Sequence, residues 1–162
     1  MTQVMMDSEA NLVVLCSIGS SHYAIPARRV QEIIQPPSVR KVHHAAGFLL
    51  GVFNLRGRIV ELIDPERRLG LDEPSDPESH RIMVLNAGEL VVGILVHSVV
   101  GVFPYEAAAL KPIPENLPLG QREMISGFLK LDDKVAGFLD IDALLRISPD
   151  EKQMSSASPR QS

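Results

Sequence analysis

The chain has 162 residues, 45% hydrophobic and 22% charged, with a formal net charge of −4 and a pI near 5.7. That length suits one ordinary domain or two small lobes sharing a core, and the acidic balance offers no global attraction to nucleic acid or acidic lipid. Aromatic residues at 4%, with no tryptophan, leave few platforms for stacking bases, and no apolar run reaches the roughly 18 residues of a membrane-spanning helix.

Residues 1–10, MTQVMMDSEA, lack the charged start and apolar core of a signal peptide. They are expected to be a flexible N-terminus of a cytoplasmic protein with no direct membrane insertion. Residues 12–18 (LVVLCSI) read as a buried strand, Gly19-Ser20-Ser21 as a turn and residues 22–25 as the returning strand. Cys16 is the single cysteine and lies inside the apolar run, where a thiol serves as a small buried hydrophobe rather than as a nucleophile. Across residues 27–34 the spacing of Ala27, Val30, Ile33 and Ile34 follows a helical period between Pro26 and Pro36-Pro37. This predicts a short amphipathic helix with Glu32 on its flank, one turn from Arg28.

Residues 51–64, GVFNLRGRIVELID, read as a β-hairpin with Gly57 in the tight turn, where positive φ is needed. Both arms are too apolar for a strand with one wet face, so the hairpin is expected between two layers or along a hydrophobic groove. Arg56 at its tip has three open readings: a solvated turn residue, a structural ion pair, or a partner-binding residue. Asp64-Pro65-Glu66 can cap a short helical turn that Gly70 ends. Residues 71–80 form a polar loop rich in proline and acid.

Residues 81–85 and 90–97 make a second hairpin around Asn86-Ala87-Gly88-Glu89, followed by an apolar run ending at Pro104. Residues 110–119 carry three prolines and read as an extended crossover. Residues 121–131 and 134–139 form the last hairpin around Asp132-Asp133, and residues 140–145 a short closing helix. Residues 148–162 are a polar tail expected to be disordered, which leaves 11–147 as the folded domain. Roughly nine short strands at near-regular spacing indicate an all-β barrel or sandwich, and no internal repeat is evident.

Catalysis needs convergent titratable groups, and His22, His43, His44, His80, His97, Cys16 and the acids form no recognised pattern. His43 and His44 are neighbours that face opposite ways in extended structure, and no second Cys or His follows at zinc spacing, so no metal is expected. His97-Ser98 could join Asp64 or Asp140 in a triad on paper, yet no G-x-S-x-G elbow is present. Phosphate-binding glycine motifs are absent too, so no cofactor is expected.

The wider pattern resembles the CheW-like coupling domain of bacterial chemosensory arrays. The resemblance rests on Tyr23-x-Ile-Pro26, Val30-Gln31-Glu32-Ile33, Gly51-Val-x-Asn-Leu-Arg-Gly57-x-Ile-Val60, Val91-Val92-Gly93-Ile-Leu-Val96, Lys111-Pro-x-Pro114, Ile125-x-Gly127 and Phe138-Leu-Asp140-Ile141. It implies an all-β fold of two small five-stranded β-barrel lobes packed together, with a hydrophobic groove between them. It further implies a non-catalytic adaptor joining the cytoplasmic tip of a chemoreceptor to the regulatory domain of a CheA-type histidine kinase at membrane-associated receptor arrays, with self-association in array rings.

By resemblance, Val30, Glu32, Asn54, Leu55, Arg56, Gly93 and Val99 fall near the partner-binding surfaces. The valines and Leu55 are expected to supply apolar contact, and Glu32 and Arg56 to pair at the groove rim. The chain also departs from the family pattern. Glu61 stands where the family usually has proline, Pro65 where it has leucine, and His97 where it commonly has aspartate, and the segment before the hairpin that usually contains proline reads Val42-His-His-Ala-Ala-Gly47. These departures fit a coupling protein of an alternative cluster controlling surface behaviour, pili or a second messenger rather than flagellar rotation. Three rival readings are a CheW-like module detached from a larger signalling chain, a small β-barrel hydrolase using His97 or Cys16, and a structural oligomer without kinase contact.

Overall fold

The computed structural model describes residues 11–42, 48–70 and 80–146. The expectations for residues 1–10, for His43-His44, for 71–79 and for the tail beyond 147 lie outside the described residues. Ten strands occur among them: β1 (Leu12–Ile18), β2 (Ser21–Pro26), β3 (Val30–Ile34), β4 (Leu49–Leu55), β5 (Arg58–Ile63), β6 (Arg81–Ala87), β7 (Leu90–Val96), β8 (Ser98–Pro104), β9 (Ile125–Leu131) and β10 (Lys134–Leu139). Three short helices accompany them: α1 (Pro65–Leu69), α2 (Leu119–Met124) and α3 (Ile141–Leu145).

The strands form two five-stranded sheets, ordered β8-β1-β2-β10-β9 in lobe A and β3-β6-β7-β5-β4 in lobe B. The two orders are the same arrangement built twice. In each, a hairpin (β1–β2 or β6–β7) carries an antiparallel crossover strand on one side (β8 or β3), and on the other pairs in parallel with a second hairpin (β9–β10 or β4–β5). The chain therefore contains two structural repeats, β1 to α1 and β6 to α3, each of which gives its first hairpin to one lobe and its remaining strands to the other.

Neither lobe is closed by a full ladder. Instead the chain beyond the crossover strand reaches the far edge of its sheet through one bridge, Arg40–Val52 in lobe B and Lys111–Phe128 in lobe A. Each bridge sits against a glycine at the same place in the repeat. A Cβ on Gly51 would lie 2.3 Å from the Arg40 carbonyl oxygen, and one on Gly127 would lie 2.6 Å from that of Lys111. Only a residue without Cβ lets two backbones approach so closely.

Three apolar cores follow from strand alternation. Val13 and Leu15 of β1 fill lobe A, while Val14, Cys16 and Ile18 on its other face enter a layer shared by the lobes. On β6, Ile82 and Val84 fill lobe B while Met83 and Leu85 enter the same shared layer. A strand buried on both faces must be apolar throughout, which is why residues 12–16 and 82–85 show no polar alternation. The shared layer also takes Ile141, Ala143 and Leu144 of α3, Leu69 of α1 and Met124 of α2.

Three local expectations change. Residues 27–34 are not an amphipathic helix: Ala27–Arg29 forms one 3-10 turn, and Val30–Ile34 is an edge strand with alternating burial. Eight residues with two proline borders fit either period, and the β-branched Val30, Ile33 and Ile34 suit a strand pairing with β6. The β4–β5 hairpin has a wet face after all, because Ile59 is 69% exposed and Asn54 and Glu61 face solvent beside it. Phe53, Leu55, Val60 and Leu62 point into lobe B, and Ile63 enters the shared layer. Residues 121–124, read as strand, belong to α2.

The closing bridges predict that Gly51→Ala and Gly127→Ala each lower stability by about 1–3 kcal/mol, the usual cost of overpacking. Urea titration should show a lower midpoint at unchanged slope for both.

Candidate functional site

The tip of the β4–β5 hairpin is set by backbone chemistry. Arg56 (φ 49°) and Gly57 (φ 90°) are both left-handed, as a two-residue hairpin turn that follows strand twist requires. Arginine at positive φ is strained, and Asn54 offsets this by accepting the Gly57 N–H on its Oδ1 at 2.8 Å. The tetrapeptide Asn54-Leu-Arg-Gly57 is therefore one turn-forming unit, with Leu55 as its inward anchor.

Arg56 then reaches across the seam of lobe B. Its Nη1 donates to Glu32 Oε1 at 3.0 Å and its Nη2 to Glu32 Oε2, a bidentate pair between the hairpin tip and the opposite edge strand β3. A bulge at Gln31, which the register to β6 skips, re-aims β3 at this point. The seam is thus held by the Arg40–Val52 backbone bridge and by this side-chain latch. The latch is solvated, with the Arg56 side chain 67% and the Glu32 side chain 26% exposed, so added salt screens it.

Of the other expected site residues, Val30 and Val99 stand at the starts of β3 and β8, partly buried, and both pack against the shared interlobe layer. Their places in the two repeats correspond: Val30 pairs with Leu85 and Val99 with Cys16, each one step before a bulge. Leu55 lies inside lobe B, and Gly93 is buried where a Cβ would meet Phe53 at 2.9 Å. Beside the Arg40 bridge, lobe B carries an open depression of about 530 Å³ lined by Val39, Val52, Asn54 and Ile59 among others. Lobe A has its counterpart of about 350 Å³ beside the Lys111 segment, lined by Tyr105, Glu106, Ala109 and Lys130.

One constellation escaped the sequence reading. His80, assigned to a polar loop, is buried, and it meets His97 with ring centroids 4.3 Å apart. Ligand atoms of Glu66, His80 and His97 all lie within 4.8 Å of one another. Among the described residues these could hold a metal, but the hydrogen bonding argues against it. His97 Nδ1 accepts the Gly19 N–H at 3.0 Å, which puts the proton of a neutral ring on Nε2, 3.1 Å from Glu66 Oε1. Ligation through Nε2 would force an Nδ1–H against the Gly19 N–H. No local spacing could have revealed the cluster, since its members come from α1, the start of β6 and the β7–β8 junction.

The nucleophile readings do not survive placement. Cys16 is fully buried and its thiol is pushed up to about 12 by desolvation, so it carries no thiolate at neutral pH. Ser98 Oγ hydrogen-bonds Ser17 Oγ at 2.6 Å, while His97 faces Glu66 rather than Asp64 or Asp140. Asp64 and Asp140 instead cap α1 and α3, accepting from the N–H groups of Glu66 and Ala143.

A family model described as the CheW-like domain matches residues 12–148. The chain belongs to the CheW-like family. It is 33% identical over 132 residues to the chemotaxis protein CheW of Klebsiella aerogenes, covering 82% of this chain and 80% of that protein. It is 30% identical over 128 residues to a probable chemotaxis protein CheW of Rhizobium etli, covering 78% and 82%. Among solved structures, the scaffolding protein TtCheW of Thermoanaerobacter tengcongensis superposes with a TM-score of 0.77 over 86% of this chain and 90% of that one, at 24% identity. The two-lobe CheW fold is thereby shown, with lobes that are open barrels.

The departures from the CheW-like pattern fall in different environments. Glu61 is exposed on β5, Pro65 is buried at the first turn of α1, and His97 lies between the lobes. Among the described residues no helix is long and apolar enough to cross a membrane.

Two outcomes follow. The hydrogen bond from Arg56 holds the Glu32 carboxyl below its ordinary value. The latch therefore contributes its stability above the unfolded glutamate pKa of about 4.3, and loses it as pH falls through the lower folded value. In Arg56→Gln, carboxyl NMR titration should show Glu32 moving up towards about 4.3, and wild type in 1 M salt should move the same way. Separately, Cys16 should be inert to a thiol reagent at pH 8 in the folded protein and react stoichiometrically once urea unfolds it.

Proposed function

We propose that this CheW-like chain is a non-catalytic cytoplasmic adaptor that couples chemoreceptor tips to the regulatory domain of a CheA-type histidine kinase. One contrast carries the reading: the groups held rigid at the surface are recognition groups, whereas the candidate nucleophile and base are buried and engaged. Asn54, Arg56 and Glu32 are fixed by a turn, a bulge and a bidentate pair, yet face solvent. Cys16 is a buried thiol and His97 is committed to Gly19 and Glu66.

In this reading a receptor helix lies in the groove between the lobes, with Val30 and Val99 giving apolar contact and the Glu32–Arg56 latch orienting it at the rim. The depressions beside the closing bridges give each lobe a separate face for docking another β-barrel domain, a kinase lobe or a second copy in a ring. Of Glu61, Pro65 and His97 only Glu61 faces outward, so among these three it is the one able to alter partner choice directly. A partner set outside flagellar control is consistent with a glutamate there.

The test is binding of the full chain to a helical receptor-tip fragment and to a kinase regulatory domain at low salt, measured by calorimetry. Wild type should bind both. Glu32→Arg and Arg56→Glu should each weaken binding of the receptor fragment several-fold, and the double exchange should recover part of it. Binding to neither fragment overturns the adaptor reading. Self-association as the sole interaction would favour a structural oligomer.

A further inference from the structure

Each repeat crosses from one lobe to the other at a single place, and at each place a side chain reaches into the other repeat. The first crossing runs through the 3-10 turn Ala27–Arg29 into β3. There Arg29 Nε donates to the carbonyl of Asn86 on the β6–β7 hairpin at 2.9 Å, and its Nη2 to Asp142 Oδ1 of α3 at 2.8 Å. The second crossing is His97, between β7 and β8, whose own N–H is bonded to the Ser17 carbonyl at 2.8 Å. Its Nδ1 accepts from Gly19 in the β1–β2 turn, and its Nε2 lies 3.1 Å from Glu66 Oε1 of α1.

The two junctions correspond element by element. Glu66 and Asp142 hold the same position in their helices, two residues past the capping aspartates Asp64 and Asp140. Gly19 and Asn86 lie at the ends of the first hairpin of each repeat. The chemistry differs: an arginine–aspartate pair on one side, a histidine–glutamate pair on the other.

We propose that Arg29 and His97 are positioning residues, which lock each strand crossing to the hairpin turn and closing helix of the other repeat and so set the angle between the lobes. For the groove this inference rests on the adaptor reading; for the lobe angle it stands alone. Apolar burial holds the lobes together but is non-directional, so it resists separation more than sliding. Hydrogen bonds have preferred distances and angles, and three of them, with the 3.1 Å His97–Glu66 contact, at two separate points fix a relative orientation. The His97–Glu66 contact, 19% and 10% exposed, is screened less than the rim latch, whereas the Arg29–Asp142 pair, 22% and 71% exposed, is as solvated as the latch and gains its shelter from the part-buried bond of Arg29 to the Asn86 carbonyl. A groove between two lobes changes width when they slide, and pre-set width spares a bound helix the cost of ordering it.

The experiment measures lobe separation and binding independently in the full chain. Spin labels are attached at Glu61→Cys on β5 and Val135→Cys on β10; the buried Cys16 does not compete for label. Interlobe distance distributions are then recorded by pulsed electron spin resonance for wild type, Arg29→Met, His97→Phe, the double variant, and His97→Gln, whose amide can accept from Gly19 and donate to Glu66. Asp142→Asn, at an exposed carboxylate, reads the first junction without touching the core. The expected result is a broadened or shifted distribution in the double variant with the thermal transition retained, a smaller change in Arg29→Met and Asp142→Asn, and a narrow wild-type-like one in His97→Gln. On the unlabelled proteins, affinity for the receptor-tip helix should fall several-fold in the double variant, through faster dissociation, and recover in His97→Gln. An unchanged distribution in the double variant overturns the lobe-angle role, and a broadened one with unchanged affinity overturns the positioning of the groove. If wild type binds no receptor fragment, the adaptor reading fails while the distance data still decide the lobe angle.

Discussion

The apolar layer between the lobes is the constraint from which the rest of the molecule follows. Because β1 and β6 each feed a barrel with one face and this layer with the other, neither lobe has a finished surface of its own. Burying an aliphatic side chain contributes about 1.5–3 kcal/mol, and the layer draws such residues from both sheets and all three helices, so it outweighs any surface ion pair. The exchange of strands between repeats adds to this. A lobe cannot be removed without taking two or three strands from each repeat, so the lobes are one folding unit despite their separate sheets.

Closing a five-stranded sheet around a small core leaves a seam, and the two lobes treat it alike at the backbone and differently at the side chains. Both use a glycine in the first hairpin strand to let the chain beyond the crossover strand approach, Gly51 beneath Arg40 and Gly127 beneath Lys111. Lobe B then adds the Glu32–Arg56 latch. At the corresponding turn of lobe A stand Asp132 and Asp133, with Asp132 also at positive φ, and Val100 and Val102 of β8 are exposed. One architecture thus carries a cross-seam ion pair on one lobe and an aspartate turn with exposed edge-strand valines on the other.

Much of this was legible in the sequence because it is local. The β4–β5 turn was readable from Gly57, the α1 cap from Asp64-Pro65, and the buried Cys16 from its apolar run, since each depends on neighbours within a few residues. The crossover strand was misread because five residues with apolar positions 30, 33 and 34 satisfy a helical period, and only pairing with β6 decides otherwise. The internal repeat left a trace that went unread: Gly51-Val-Phe-Asn-Leu55 and Gly127-Phe-Leu-Lys-Leu131 each precede a two-residue turn, an apolar strand and an aspartate-capped helix. The resemblance marks Leu55 and Gly93 by position, and position carries no sign that both are buried. His80 and Glu66 carry no local mark of burial; their environment is assembled from three distant segments.

The placement of charge gives the last step. A structurally doubled scaffold would present two equivalent faces if its side chains were doubled too, and an adaptor joining unlike partners needs faces that differ. Here the repeat is kept where backbone geometry demands it, at the glycine closures, the aspartate caps and the strand crossings. It is broken where side chains meet solvent: Val39, Arg40 and Ile59 edge one depression, Tyr105, Glu106 and Lys130 the other. The crossings lie between these regimes, equivalent in position but different in chemistry, with arginine–aspartate at one and histidine–glutamate at the other. Substitution there changes how the faces are held relative to each other without changing either face, so in this chain lobe angle and partner chemistry are set by different residues.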